Sequence, residues 1–165
     1  MQFEFKDTGT GPALLFIPGS YSNYSAWKNI QQELENSYRM ISISLPGYGA
    51  TPEIRDEATA DMAAMAAFVG DVVEHIGEPV HLIGHSYGGL VAFAATLTKS
   101  VKPLSLITFE GNPIFACHPD FDYPWLAGTL DMVERFEQAY ATGDPDAAGI
   151  VIDFWGREGE FKAMP

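Results

Sequence analysis

Ser86 stands at the centre of Gly84-His85-Ser86-Tyr87-Gly88, with a glycine two residues away on each side. The segment before it, Val80-His81-Leu82-Ile83, is β-branched and aliphatic, and the segment after it, Gly89 to Leu97, is small and apolar. In this strand–turn–helix context a G-x-S-x-G serine becomes a nucleophile on a tight elbow. The turn crowds the residues two before and two after the serine, so glycine is needed at both. It lifts Oγ out of the sheet to the start of the next helix, where N–H groups and the helix dipole stabilise negative charge. The competing reading is a glycine-rich packing turn, which needs no serine at its centre.

A serine hydroxyl reacts when a base takes its proton, an acid orients that base and N–H donors receive the oxyanion. One donor is the N–H of the residue after the nucleophile, Tyr87. The second is sought in the loop after the first buried strand, Pro18-Gly19-Ser20-Tyr21-Ser22; Ser20 N–H is the first choice and Tyr21 N–H the second. The candidate acid is Glu110, at the end of Leu104–Phe109, a strand expected beside that of Ser86. Neighbouring strands lie about 4.8 Å apart, so the two side chains can open into one crevice. The alternative for Glu110 is a local cap of Gly111 or Asn112.

The base is harder to find among the four histidines. His75 ends a helix, where an imidazolium suits the dipole. His81 lies within a strand, and the elbow turns His85 away from Oγ. His118, in Cys117-His118-Pro119-Asp120, follows the serine in the chain, but a surface-loop histidine is the simpler reading of it. The nucleophile has no matching base in this sequence. No H-E-x-x-H, paired cysteines, Walker loop or strand-borne G-x-G-x-x-G is present, so neither a metal nor a nucleotide cofactor is expected.

These residues need a framework, and the sequence supplies one by alternation. Phe3–Lys6 reads as an edge strand, Ala13–Ile17 as a strand buried on both faces, and Met40–Leu45 as the next strand, closed by Pro46-Gly47-Tyr48-Gly49. Trp27, Ile30 and Leu34 mark one face of a helix that starts near Asn23 or Ser25. Met62, Met65, Val69, Val72, Val73 and Ile76 recur at helical spacing before Gly77, a terminator, and Pro79. Strand–helix alternation with apolar strands predicts an α/β fold with a doubly wound, mostly parallel sheet. After Pro113 two helical stretches follow without a strand. The first carries Leu130, Val133, Phe136 and Tyr140; the second opens at Asp144-Pro145 and carries Ile150, Val151, Phe154 and Trp155.

With 165 residues, 47% of them hydrophobic, the chain can bury a sizeable core. A formal charge of −13 argues against nucleic acid and anionic membranes as partners, because both require a positive face. The single cysteine, Cys117, rules out an internal disulfide and fits a reducing compartment. No signal sequence opens the chain and no apolar run reaches the roughly 20 residues of a transmembrane helix. The expected location is cytoplasmic.

Three loops together give a resemblance to a known family. Phe16-Ile17-Pro18-Gly19-Ser20 with Trp27, then Leu45-Pro46-Gly47-Tyr48-Gly49-Ala50-Thr51, then Gly84-His85-Ser86-Tyr87-Gly88-Gly89 resemble the α/β-hydrolase superfamily in order and spacing. The likeness runs from Phe3 to about Phe109, and the remainder is similar to the helical cap that many members carry after their sixth strand. It implies a core over residues 1–113 and a cap over 114–165. It also implies Ser86 as nucleophile, Tyr87 and Ser20 as oxyanion donors, and Tyr21 and Tyr48 lining a pocket for a small acyl substrate. The chain departs from the family in having Pro18-Gly19 where most members have His-Gly, which leaves the backbone donor intact. Members continue past the cap with two more strands, a late acid and the catalytic histidine. This sequence stops at Pro165, so the implied fold is truncated after the cap, and Glu110 is the acid left in a suitable place. The expected protein is a serine hydrolase whose unpaired Leu104–Phe109 edge calls for a complementing segment or a second copy. The alternative is a non-catalytic ligand-binding or truncated hydrolase-like module.

Overall fold

Ala13-Leu14-Leu15-Phe16-Ile17 forms a strand buried along its whole length, and the sheet is built outwards from it. The structure, a computed structural model, describes residues 2–56, 58–111, 113 and 123–164. Its strands are β1 (Phe5–Thr8), β2 (Ala13–Ile17), β3 (Arg39–Ile43), β4 (Val80–His85) and β5 (Ser105–Phe109). They lie in the order β1-β3-β2-β4-β5. β3, β2, β4 and β5 run parallel, and β1 joins β3 antiparallel. The helices are α1 (Lys28–Leu34), α2 (Met62–Ile76), α3 (Tyr87–Leu97), α4 (Pro124–Ala141), α5 (Ala147–Trp155) and α6 (Glu160–Ala163). Residues 1–113 and 114–165 form two compact units.

The period of two along each strand assigns its side chains to opposite faces of the sheet. Ala13, Leu15, Ile17, Ile41, Ile43 and Leu82 share one core with the inner stripes of α2 and α3. Leu14, Phe16, Met40 and Ile83 turn to the other face, where Trp27 packs on them. The sheet is therefore wound on both sides, with β2 at its centre. α2 begins where Asp61 Oδ1 accepts the Ala64 N–H at 2.8 Å and ends at Gly77, whose φ of 75° suits glycine.

The first helix begins where the sequence places it, but its inward face differs from the expected one. The helix expected near Asn23 starts as a 3-10 turn, Tyr24–Trp27, capped by Asn23. Its inward residue is Gln31, not Ile30: Gln31 is buried because its amide donates to Ser42 Oγ at 3.1 Å, while Ile30 is 41% exposed. β5 is an edge among the described strands, with Ile107 48% and Phe109 49% exposed. Leu14, Phe16, Ile83, Ile107 and Phe109 of the sheet and Ile30 of α1 line an open apolar groove of about 520 Å³ on that face.

In the second unit α4 and α5 pack together, and α6 is tied to α5 by Asp153, which accepts the Gly159 and Phe161 N–H groups at 3.0 and 2.8 Å. Asp144-Pro145 does not begin α5. Asp144 Oδ1 instead accepts the Asp146 N–H at 2.9 Å, forming a turn that delays the helix to Ala147. On α4 the buried residues are Thr129 and Met132, whereas Leu130, Val133 and Tyr140 are exposed.

Candidate active site

β4 and α3 meet at Ser86, whose φ of 50° and ψ of −120° lie where L-residues are strained. Its N–H still belongs to the sheet, donating to the Phe109 carbonyl at 2.8 Å, while its carbonyl already serves the helix, accepting from Gly89 and Leu90 at 2.9 and 3.2 Å. One residue thus makes the whole change from ladder to helix. A Cβ on Gly84 would come within 2.5 Å of the Gly88 carbonyl oxygen, and one on Gly88 would overlap the carbonyl oxygens of Ile17 and Pro18. Both glycines are imposed by backbone packing.

The loop after β2 runs directly against the serine. A Cβ on Gly19 would lie 3.2 Å from Ser86 Cβ and 3.0 Å from His85 Nδ1. Ser20 is the next residue, and Tyr21 follows with a φ of 55°. Tyr87 opens α3, so its N–H has no carbonyl one turn earlier in the helix. The candidate donors Tyr87 and Ser20 therefore lie on the two segments that meet at Ser86.

One further tyrosine, Tyr48, acts on both Tyr21 and Tyr87. Burial raises the Tyr21 phenol above its ordinary pKa, and neighbouring Tyr48 adds to the rise. Burial raises the Tyr87 phenol as well, with Arg55 pulling against it and Tyr48 again pushing it up. Tyr48 therefore lies within electrostatic reach of both. Arg55 is gripped by Glu53, its Nε bonding Oε1 at 2.8 Å and its Nη2 bonding Oε2 at 2.7 Å. The bonds from Arg55 hold the Glu53 carboxyl down at about 2. Arg55 itself is raised, first by those same bonds and then by Tyr87.

Glu110, between its two readings as triad acid and local cap, lies beside His85. Its Oε2 is 3.5 Å from His85 Nε2, its side chain is 81% exposed, and its φ is 53°. The pairing follows from register, since His85 is opposite Phe109 in the β4–β5 ladder. No spacing rule could have revealed it, because the partners meet only after the strands pair. Glu53 and Arg55, by contrast, stand two apart in the chain, a spacing at which opposite charges can pair locally. Asn112, Cys117 and His118 lie outside the described residues. Among the described residues no three His, Cys, Asp or Glu side chains gather as ligands for a metal ion. No described helix is long and apolar enough to cross a membrane.

Comparison with known proteins agrees with this geometry. The sequence pattern of the alpha/beta hydrolase family matches residues 14–163. A pimeloyl-[acyl-carrier protein] methyl ester esterase of Aeromonas salmonicida is 33% identical over 150 residues, covering 84% of this chain and 58% of the relative. The chain thus spans less than two thirds of that relative's length. An alpha/beta hydrolase from Sphaerobacter thermophilus superposes with a TM-score of 0.73 at 17% identity, covering 99% of this chain and 62% of its own. A thermophilic esterase from Thermogutta terrifontis has a TM-score of 0.62 at 28% identity, covering 83% and 47%. With the strained serine between β4 and α3, the sheet order around β2 and a family match over nearly the whole length, the chain belongs to the alpha/beta hydrolase family.

Proposed function

We propose that this chain carries the nucleophile half of a serine esterase acting on small carboxylic esters. The observation that carries the reading is Ser86 itself, held at a strained φ of 50° with the Gly19 loop packed against it. A packing turn needs neither the strain nor the serine. The esterases among the relatives support the same chemistry, methyl ester hydrolysis in the case of the Aeromonas protein.

In the reaction, Ser86 Oγ attacks the ester carbonyl carbon as a base takes its proton. The carbonyl oxygen becomes an oxyanion received by the N–H groups of Tyr87 and Ser20. Collapse of the tetrahedral species breaks the bond to the alkoxy oxygen, which leaves as an alcohol with the proton returned by the base. Water then attacks the acyl-serine by the same route and releases the acid. Tyr21 and Tyr48 line the acyl pocket, Glu110 is the acid candidate through its place at the end of β5, and the unit 114–165 is the counterpart of the family's helical cap. The base is a histidine brought by a complementing segment, further polypeptide or a second copy, that covers β5.

A fluorophosphonate probe tests this directly, because it labels only an activated serine. Wild-type protein, alone and with whatever co-purifies, is compared with Ser86→Ala by intact mass. The expected result is one adduct on the wild type, present or strengthened with the complementing partner, and none on Ser86→Ala. Absence of labelling in every wild-type preparation would sink the hydrolase reading and leave a ligand-binding module.

A further inference from the structure

A chain of hydrogen bonds runs between the loop after β2, which packs on Ser86, and the loop that carries Tyr48. Ser44, just past β3, is fully buried, and Thr51 is 3% exposed. The Ser44 hydroxyl accepts the Tyr24 N–H at 3.1 Å and donates to Glu4 Oε2 at 2.6 Å. The same Glu4 oxygen accepts the Ala50 N–H at 3.1 Å. Thr51 Oγ1 closes the circuit, accepting from the Glu4 N–H at 3.0 Å and donating to the Ser44 carbonyl at 2.9 Å. Tyr24 ends the loop that carries Ser20 and Tyr21, and Ala50 belongs to the loop that carries Tyr48. Gly49 has to be glycine here, since its φ is 56° and a Cβ would overlap Glu4 Oε2 and come within 2.9 Å of Ser44 Oγ.

We propose that Glu4, Ser44 and Thr51 are positioning residues that set the oxyanion loop and the Tyr48 loop together, through one shared hydroxyl and one shared carboxylate oxygen. The inference rests on the esterase reading only for its catalytic consequence. A serine hydroxyl has one proton to give and a carboxylate only accepts, so the direction of the chain is fixed. Glu4 orients the Ser44 hydroxyl, which leaves a lone pair for Tyr24. Loss of Glu4 therefore frees Ala50 directly and Tyr24 indirectly. Burial of Ser44 and Thr51 makes the bonds to their hydroxyls costly to break, because little water replaces the partner there.

Both bonds to the Glu4 side chain land on Oε2, so Glu4→Gln, with its amide oxygen in that place, keeps them, whereas Glu4→Ala loses both. Glu4 is only partly buried, so neither change empties the core. Amide hydrogen exchange is followed at Tyr24 and Ala50 in the wild type, Glu4→Ala, Glu4→Gln and Ser44→Ala, alongside the kinetics of phosphonylation at Ser86. Expected is roughly tenfold faster exchange at both amides in Glu4→Ala and Ser44→Ala, the scale of losing one hydrogen bond to a charged group. Glu4→Gln stays with the wild type. The maximal phosphonylation rate falls in the alanine variants while the half-saturating probe concentration holds. Unchanged exchange at Tyr24 in Glu4→Ala, a Gln variant as impaired as the Ala variant, or coupled exchange without any change in labelling rate would each overturn the proposal. If wild-type Ser86 never labels, the esterase reading fails, and exchange alone decides whether the loops are coupled.

Discussion

A single methyl group at position 88 would meet the carbonyl oxygens of Ile17 and Pro18, both in rigid, buried backbone. Gly88→Ala is therefore expected to cost about 1–3 kcal/mol, the scale of an overpacked site that cannot relax. Gly77→Ala is the control, since nothing lies within 4 Å of its Cβ position and only the left-handed φ opposes it, at about 1–2 kcal/mol. Urea midpoints give both stabilities, and fluorophosphonate labelling separates them further, because only the Gly88 variant disturbs Ser86. Glu53 offers a pH test. Arg55 depresses its carboxyl from an ordinary 4.5 to about 2. A lowered folded-state pKa adds stability that is complete above the unfolded value and is lost as pH falls through the folded one. The wild type is thus expected to lose stability between about pH 4.5 and 2, and Glu53→Gln to show a shallower fall over that window in urea midpoints. The Glu53 side chain is 44% exposed, so solvent screening holds the effect to about 1 kcal/mol or less. The elbow could be read from the sequence because its strand, glycine-flanked serine and helix are contiguous in the chain. The Glu4–Ser44 link could not, because its two residues stand 40 apart in the chain and are brought close only by the fold.

The two sheet edges among the described strands differ in a way that matters for assembly. β1 carries Lys6 and Asp7, and Arg39 bonds Asp7, with Nε 3.1 Å from Oδ1; short charged edges of this kind discourage pairing with other chains. β5 has no such protection. Leu104, Ile107 and Phe109 are 59%, 48% and 49% exposed, and Ile107 and Phe109 continue into the apolar groove beside α1. An exposed apolar edge joined to an apolar face is a surface for pairing or aggregation. Ile107→Lys is expected to shift the chain towards monomer in sedimentation velocity and to lower its binding of an apolar dye. An unchanged association state would show that the β5 edge is not the contact. Hydrophobic periodicity anticipated the strands and their alternation with helices, since burial on one or two faces writes itself into residue type. It chose Ile30 over Gln31 because the polar partner that buries Gln31, Ser42, lies on another element.

At the scale of the whole chain the dominant physical fact is charge. Twenty-two acidic and nine basic residues leave a formal −13, and salt acts on that imbalance in two opposing ways. It weakens favourable pairs, here the exposed contacts of Arg39 with Asp7 and Glu78 and of Arg55 with Glu53, each worth about 0–1 kcal/mol at a surface. It also screens the mutual repulsion of the unpaired carboxylates, which favours the expanded chain whenever net charge is far from zero. Many more acids than bases remain to repel one another than there are pairs to lose. The Debye length falls from about 30 Å at 0.01 M to about 3 Å at 1 M salt, which spans the distances between carboxylates on one surface. Repulsion should therefore win, and the urea midpoint is expected to rise with sodium chloride over that range. Glu53→Gln, which removes one acid together with its pair to Arg55, should shift the curve slightly without changing its sign. A midpoint that falls with salt would mean that the local pairs outweigh the field of the whole molecule. The same acidity bears on the proposed complementing segment. A partner that covers β5 has to match an apolar edge on a strongly negative chain, so a basic rim around an apolar strand fits it better than a second identical copy. Salt then separates the two cases: association with a basic partner weakens as salt rises, and self-association of like-charged copies strengthens.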